Sequence, residues 1–185
     1  MELIQQVLKG NRQSFAVLVE RYQNLVFTVA NRHVNNREDA EELAQSAFVK
    51  AYRSLADFRG DAKFSTWLYT IVSSLSLSFL RKRKLETLSL SHEKVQVAAD
   101  GEGGGFSANT IEAKSKKHMV QQAIGLLAPD DSLVITLFYQ GEQSLDEIGR
   151  IMGIDPNTAK VKLHRARGRL KKIIETRFAG EYLHL

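Results

Sequence analysis

Cysteine is absent from the 185 residues, so no disulfide framework, thiolate metal site or cysteine nucleophile is available. That absence fits a reducing compartment, and the expected location is cytoplasmic. No run of about 18 consecutive apolar residues occurs. The opening stretch MELIQQVLKGNRQSF also lacks a basic start followed by an apolar core, so neither a membrane span nor a secretory signal is expected. Only 2 prolines interrupt the chain, and strand-type alternation is missing. The composition, 43% hydrophobic and 25% charged, is that of a folded globular protein and excludes disorder of the whole chain.

The net charge of +5 is distributed unevenly. Residues 1–85 hold 13 Lys+Arg against 8 Asp+Glu, residues 86–112 hold 1 against 5, and residues 113–185 hold 12 against 8. Two basic blocks therefore flank an acidic connector, and the balance points to a polyanion partner, nucleic acid above all.

Apolar residues recur at helical spacing almost throughout, and the expected fold class is all-α. Phe15, Leu18, Val19, Tyr22, Val26, Val29 and Ala30 form one face of a first long helix. After Asn35-Asn36, with Asn36 as N-cap, a second helix turns Ala40, Leu43, Ala44, Ala47, Phe48, Ala51, Tyr52 and Leu55 inward. A third, from about Lys63 to Lys84, offers Phe64, Trp67, Leu68, Ile71, Val72, Leu75 and Phe79. Periodicity then fades over a stretch containing Asp100-Gly101-Glu102-Gly103-Gly104-Gly105, which reads as a linker. The expected organisation is a three-helix domain over 1–85, an acidic linker over 86–111 and a second helical domain over 112–185.

In that second domain a helix from Ile111 to Leu127 is broken by Ala128-Pro129-Asp130, and the next is expected over Ser132 to Tyr139. Ser144-Leu145-Asp146-Glu147 then has capping-box spacing, Gly153 suits a left-handed helix end, Asp155 an N-cap, and Pro156 the first helical position. These signals compose a tight helix-turn-helix, in which the small Gly149 allows the second helix to approach closely. From Asn157 to Lys172 that second helix carries seven Lys/Arg and no acid, whereas a merely soluble helix usually mixes signs. Its first turns, with Asn157, Thr158, Lys160, Val161, Lys162, His164 and Arg165, are the candidate duplex-DNA contacts. In the first domain, Glu38, Asp39, Glu41, Glu42 and Gln45 make an acidic surface suited to a protein partner, and Arg81-Lys82-Arg83-Lys84 a dense positive patch.

The stretches DAEELAQSAFVKAYRSLADFRGDAKFSTWLYTIV followed by LRKRK, and LLAPDDSLVITLFYQGEQSLDEIGRIMGIDPNTAKVKLHRARGRL, resemble the extracytoplasmic-function (group IV) sigma factors of bacterial RNA polymerase. The resemblance implies a sigma region 2 that binds core polymerase through Asp39, Glu42, Leu43 and Gln45. It implies minus-10 recognition and melting by Gly60, Asp61, Lys63, Thr66, Thr70, Ser73, Ser74 and Arg81, and a region 4 that reads the minus-35 duplex. It also implies a cognate anti-sigma factor, often membrane-anchored, and a linker threading toward the RNA exit path. Family members commonly have Asn and Asp where Ser74 and Ser78 stand, an acid at Ser46 and an Arg at Leu133. Trp67 and Phe64 are expected in the core rather than stacked on bases.

Two other classes compete. A free-standing helix-turn-helix regulator would bind duplex DNA without polymerase, usually as a dimer on a palindrome. A DNA-processing enzyme would need a recognisable catalytic set, but the five histidines are scattered and no spaced acid cluster appears. No catalytic residue, cofactor or metal is therefore expected.

Overall fold

The computed structural model describes residues 2–90 and 111–178, with side chains described for 2–85 and 118–178. Every long element among them is an α-helix: α1 (Glu2–Leu8), α2 (Arg12–Val34), α3 (Arg37–Arg53), α4 (Phe64–Leu90), α5 (Ile111–Gly125), α6 (Pro129–Tyr139), α7 (Leu145–Met152) and α8 (Pro156–Arg177). A 3-10 turn at Leu55–Asp57 leads into the loop before α4. The Asp100–Gly105 part of the expected linker lies outside the described residues, and α4 runs to Leu90 rather than ending near Lys84.

Local signals set the boundaries. The Asn11 side chain accepts from the Gln13 and Ser14 N–H groups to start α2, and Asn35, at φ 50°, ends it in the left-handed region that Asn tolerates. Asn36 then accepts from the Asp39 N–H at 2.9 Å and starts α3, as expected. Helix α1 was not anticipated, because Ile4 and Val7 are its only buried residues and two apolar positions give no period. It is tied to α2 by a 2.7 Å hydrogen bond from Ser14 Oγ to Gln6 Oε1.

Helices α2, α3 and α4 make a bundle. Ala40, Ala44, Ala47 and Ala51 recur along the buried face of α3, and such small side chains let neighbouring backbones come close. Phe58, Phe64 and Trp67 form an aromatic cluster with centroids 5.3–5.8 Å apart, so Trp67 serves packing, as expected. Tyr52 departs from expectation: it is 42% exposed, resting its ring edge on Phe15.

In the second unit α6 begins at Pro129, three residues before the expected start. Every residue from Asp131 to Leu137 is buried, because α6 packs against α8 on one side and α2 on another. The helix-turn-helix forms as the sequence dictates, with a complete Ser144/Glu147 capping box, Gly153 at φ 68° and Asp155 accepting from the Thr158 N–H. The two units are not held apart. Helix α2 lies against α6 and α4 against α7, and a single apolar core runs through both.

Gly149 is required by the turn rather than by the body of α8. A Cβ there would lie 2.7 Å from the Ile154 carbonyl oxygen, which is backbone and cannot swing away. Gly149→Ala is expected to lower unfolding free energy by about 2–3 kcal/mol despite its better helix propensity. Urea denaturation of both proteins measures the difference; equal midpoints would contradict this account.

Candidate nucleic-acid and protein interfaces

Three surfaces carry the candidate residues. The first is the outward side of α3, where Glu38, Glu42, Gln45, Val49 and Tyr52 follow one another at helical spacing and are all exposed. Asp39 lies at its edge, paired with Arg83 at 3.2 Å, and Arg37 pairs with Glu41 at 3.0 Å. Leu43 is 7% exposed and faces the core, so among the four residues implied for polymerase binding it supports the surface from beneath. Val49 was not anticipated. It is 51% exposed, and with Tyr52 it gives the acidic stripe an apolar end.

The second surface is α8. Its start is fixed by Asp155, whose carboxyl is held below the ordinary range by hydrogen bonds from the Thr158 hydroxyl and N–H. The Thr158 hydroxyl is thus committed to the cap. Asn157, Lys160, Val161, His164 and Arg165 are exposed on one side, and Lys162 is half-buried, its Nζ donating to Asp130 Oδ2 at 2.7 Å. An exposed Val161 between cations has little value to a solvated helix, but it offers the apolar contact that a thymine methyl accepts. The other cations have different duties. Arg169 pairs with Asp131, and the Arg167 guanidinium lies 5.0 Å from the Phe138 ring centroid and 5.3 Å from that of Tyr139, so both clamp α8 onto α6. Lys171 pairs with Glu175 at 3.7 Å.

The third surface is the loop before α4 and one side of α4 itself. Gly60 adopts φ 81°, and Asp61, Lys63, Thr70, Ser74 and Arg81 are exposed. Thr66 and Ser73, 1% and 2% exposed, are not. The Thr66 hydroxyl sits 2.8 Å from Gln143 Oε1 and 3.1 Å from Glu147 Oε1, and Lys63 Nζ donates to Glu147 Oε2 at 3.3 Å. Ser73 Oγ is 3.2 Å from His33 Nε2. The serine-rich character of α4 has a local explanation as well. Ser76 and Ser78 each donate to the carbonyl four residues earlier, at 2.9 Å, so their hydroxyls are satisfied within the helix.

The sequence profile described as Sigma-70 region 2 matches residues 18–86, and that described as Sigma-70, region 4, matches residues 117–170. The ECF RNA polymerase sigma factor SigW of Bacillus subtilis is 34% identical over 91% of this chain and 93% of its own length. The ECF RNA polymerase sigma-E factor of Escherichia coli is 31% identical over 89% and 88%. The chain belongs to the ECF sigma factors. It is accordingly a promoter-specificity subunit of RNA polymerase, and a free-standing regulator is not favoured. Its relatives are DNA-binding regulatory subunits rather than enzymes. The fold agrees. The sigma factor RpoE, in a co-crystal structure with the anti-sigma factor NepR from Bartonella quintana, superposes with a TM-score of 0.71 over 89% of this chain and 98% of that one, at 21% identity. CnrH, in complex with the cytosolic domain of CnrY, gives 0.62 over 94% and 95%, at 22% identity. Among the described residues no helix is long and apolar enough to cross a membrane, and no cluster of His, Asp or Glu has the makings of a metal site.

Two titrating groups in this ECF sigma factor respond to different pH windows. Burial lowers the His33 pKa from its ordinary 6.5, against a smaller opposing pull from the Asp130 charge, so the folded protein keeps the ring neutral. The unfolded chain takes up that proton first, and stability falls as pH drops below about 6.5 toward the folded value. Glu147 behaves differently. Burial pushes its carboxyl up, but hydrogen bonds from Ser144, Thr66 and Lys63 outweigh this and leave it below its ordinary 4.5, so its contribution is present above that pH and lost as acid protonates it. Melting temperature is expected to decline between about pH 7 and 5.5. His33→Gln should flatten that decline, and an unchanged slope would remove His33 from the explanation.

Proposed function

We propose that the three surfaces divide the work of promoter recognition. Core polymerase is bound by the α3 stripe through Asp39, Glu42 and Gln45, with Leu43 holding the helix from below. Minus-35 duplex is read by Asn157, Lys160, Val161, His164 and Arg165, while Thr158 and Lys162 fix and charge the start of α8. The minus-10 strand is held by Gly60, Asp61, Lys63, Thr70, Ser74 and Arg81, while the buried Thr66 and Ser73 of the same set support α4 from within through Gln143, Glu147 and His33. The functional division runs over 1–85, 86–111 and 112–185, with an anti-sigma factor as regulatory partner and a cytoplasmic location. Promoter melting requires no chemistry, since binding of extruded bases offsets part of the cost of unstacking them; the chain acts without a catalytic residue, cofactor or metal.

The observation that supports this best is the sorting of charge by surface. The α3 stripe is acidic in a basic domain, whereas the exposed start of α8 has no carboxylate beyond its cap. One surface repels nucleic acid and suits a cationic protein; the other attracts a phosphate backbone.

Asp39→Arg with Glu42→Arg is expected to abolish co-elution with sigma-free core polymerase while leaving the melting temperature within a few degrees. Co-elution that survives would move the polymerase interface elsewhere. On duplex DNA, Lys160→Ala is expected to weaken binding on all sequences and to reduce the slope of log K against log salt by about 1. A loss confined to one base position would instead make Lys160 a base reader.

A further inference from the structure

Helix α8 contains a glycine that nothing inside the molecule explains. Gly168 lies near the middle of the helix, far from either cap. Its backbone is outside the positive-φ region that accounts for Gly60 and Gly153. No neighbour needs the space, as one does at Gly149: a Cβ on Gly168 would meet nothing within 4 Å. A glycine inside a helix is destabilising relative to alanine, because its backbone loses more freedom on folding. In the free chain nothing offsets that cost.

The place of Gly168 on the helix is specific. Ala159, Leu163 and Ala166 are the buried face of α8, and the opposite face runs through Asn157, Val161, Gly168 and Lys172, all exposed. Gly168 is flanked one turn before by His164 and Arg165 and one turn after by Lys171 and Lys172. It is therefore a gap in the side-chain surface with a basic rim. Arg167 and Arg169, to either side, are turned back onto α6. Lys171 shares its charge with Glu175 at 3.7 Å, the first acid along the helix after the Asp155 cap. Bare backbone inside a basic rim suits a polyanion that comes close. The distances fit a duplex: at about 1.5 Å per residue, Gly168 stands about 10 Å along the axis from Val161. The major groove is about 12 Å wide, so a helix whose first turns meet base edges brings Gly168 to the strand at the groove's border.

We propose that Gly168 is a close-approach point for DNA, where one sugar–phosphate strand bordering the major groove lies against the bare backbone of α8 between His164, Arg165, Lys171 and Lys172. The inference rests on the duplex-reading role of α8 and extends that surface about two turns beyond Arg165. The contact is with sugar and phosphate, so it positions the helix and carries no sequence information. A side chain at 168 would stand between the strand and the rim and lift the phosphates away from all four basic groups.

The test uses the full chain, alone and with core polymerase, carrying Gly168→Ala or Gly168→Gln. Gly168→Ala is expected to raise the Tm by about 2–4 °C. The same variant should nevertheless bind a short mixed-sequence duplex about threefold more weakly. Gly168→Gln, longer and equally uncharged, should bind about tenfold more weakly, with the slope of log K against log salt reduced by about 1 to 2. Greater stability with weaker binding separates a lost contact from misfolding. Unchanged duplex affinity in both variants would overturn the proposal, and loss of co-elution with core polymerase alongside it would make the occupant a protein instead. A lower Tm in Gly168→Ala would overturn it too, by giving the glycine an internal role. Weaker binding at an unaltered salt slope would show that the contact is not with phosphate, with the same consequence. Failure of the duplex-reading role appears separately, as a wild-type chain that binds no duplex either alone or with core polymerase.

Discussion

A helix buried on all sides needs neighbours on all sides, and α6 is such a helix. Its seven residues from Asp131 to Leu137 are all buried: Leu133, Val134, Ile135 and Leu137 join the apolar core, and Asp131 and Thr136 are met by Arg169 and Arg32. Within its own unit α5, α7 and α8 cover only part of that surface, and α2 supplies the rest. The burial of α6 therefore brings the two units together. The Arg32 bonds to Thr136 and Gln121, and the meeting of α7 with α4, follow from that constraint. Separating the units must uncover apolar area, which the free chain resists.

The electrostatics of the molecule are arranged by helix. Carboxylates gather on the outer side of α3 and in the first turn of α7; cations gather on the exposed side of α8 and at the end of the described side chains of α4. Within α8 the cations divide again. Arg167 and Arg169 are consumed in holding the helix against Phe138, Tyr139 and Asp131, so a count of charges overstates what is left for DNA. This division comes from which residues meet α6: Lys162, Arg167 and Arg169 have partners on it, whereas Lys160, His164 and Arg165 face solvent.

Hydroxyl groups show the same dependence on place. Four serines on one helix look alike in sequence, yet Ser73 meets His33, Ser76 and Ser78 bond back to their own helix, and Ser74 is exposed. A serine inside a helix is tolerated when its hydroxyl is satisfied, and each of the three partners found here does so at a different cost in availability. Only Ser74 among them presents a free edge to a ligand on α4.

Much of this protein was legible from its residues. Asn36, the Ser144/Glu147 box, Gly153, Asp155 and Pro156 act over three or four residues, so their effect is the same in any tertiary setting, and each boundary they announced is where the structure has it. The apolar period of α2, α3 and α4 likewise specified which faces turn inward, and the paired family motifs specified the function. Short or edge features were not legible: α1 has too few buried residues to give a period, and Tyr52 shares the spacing of the core but lies where α3 passes its rim. The covering of Thr66 and Ser73 had no signal at all. Their partners are Gln143, 77 residues away, and His33, 40 residues away, and a pairing at such separations depends on how helices pack against one another. Local chemistry determined the helices, their caps and the charges they display; only the tertiary structure, through the unfinished burial of α6, decided which of those displays remain open.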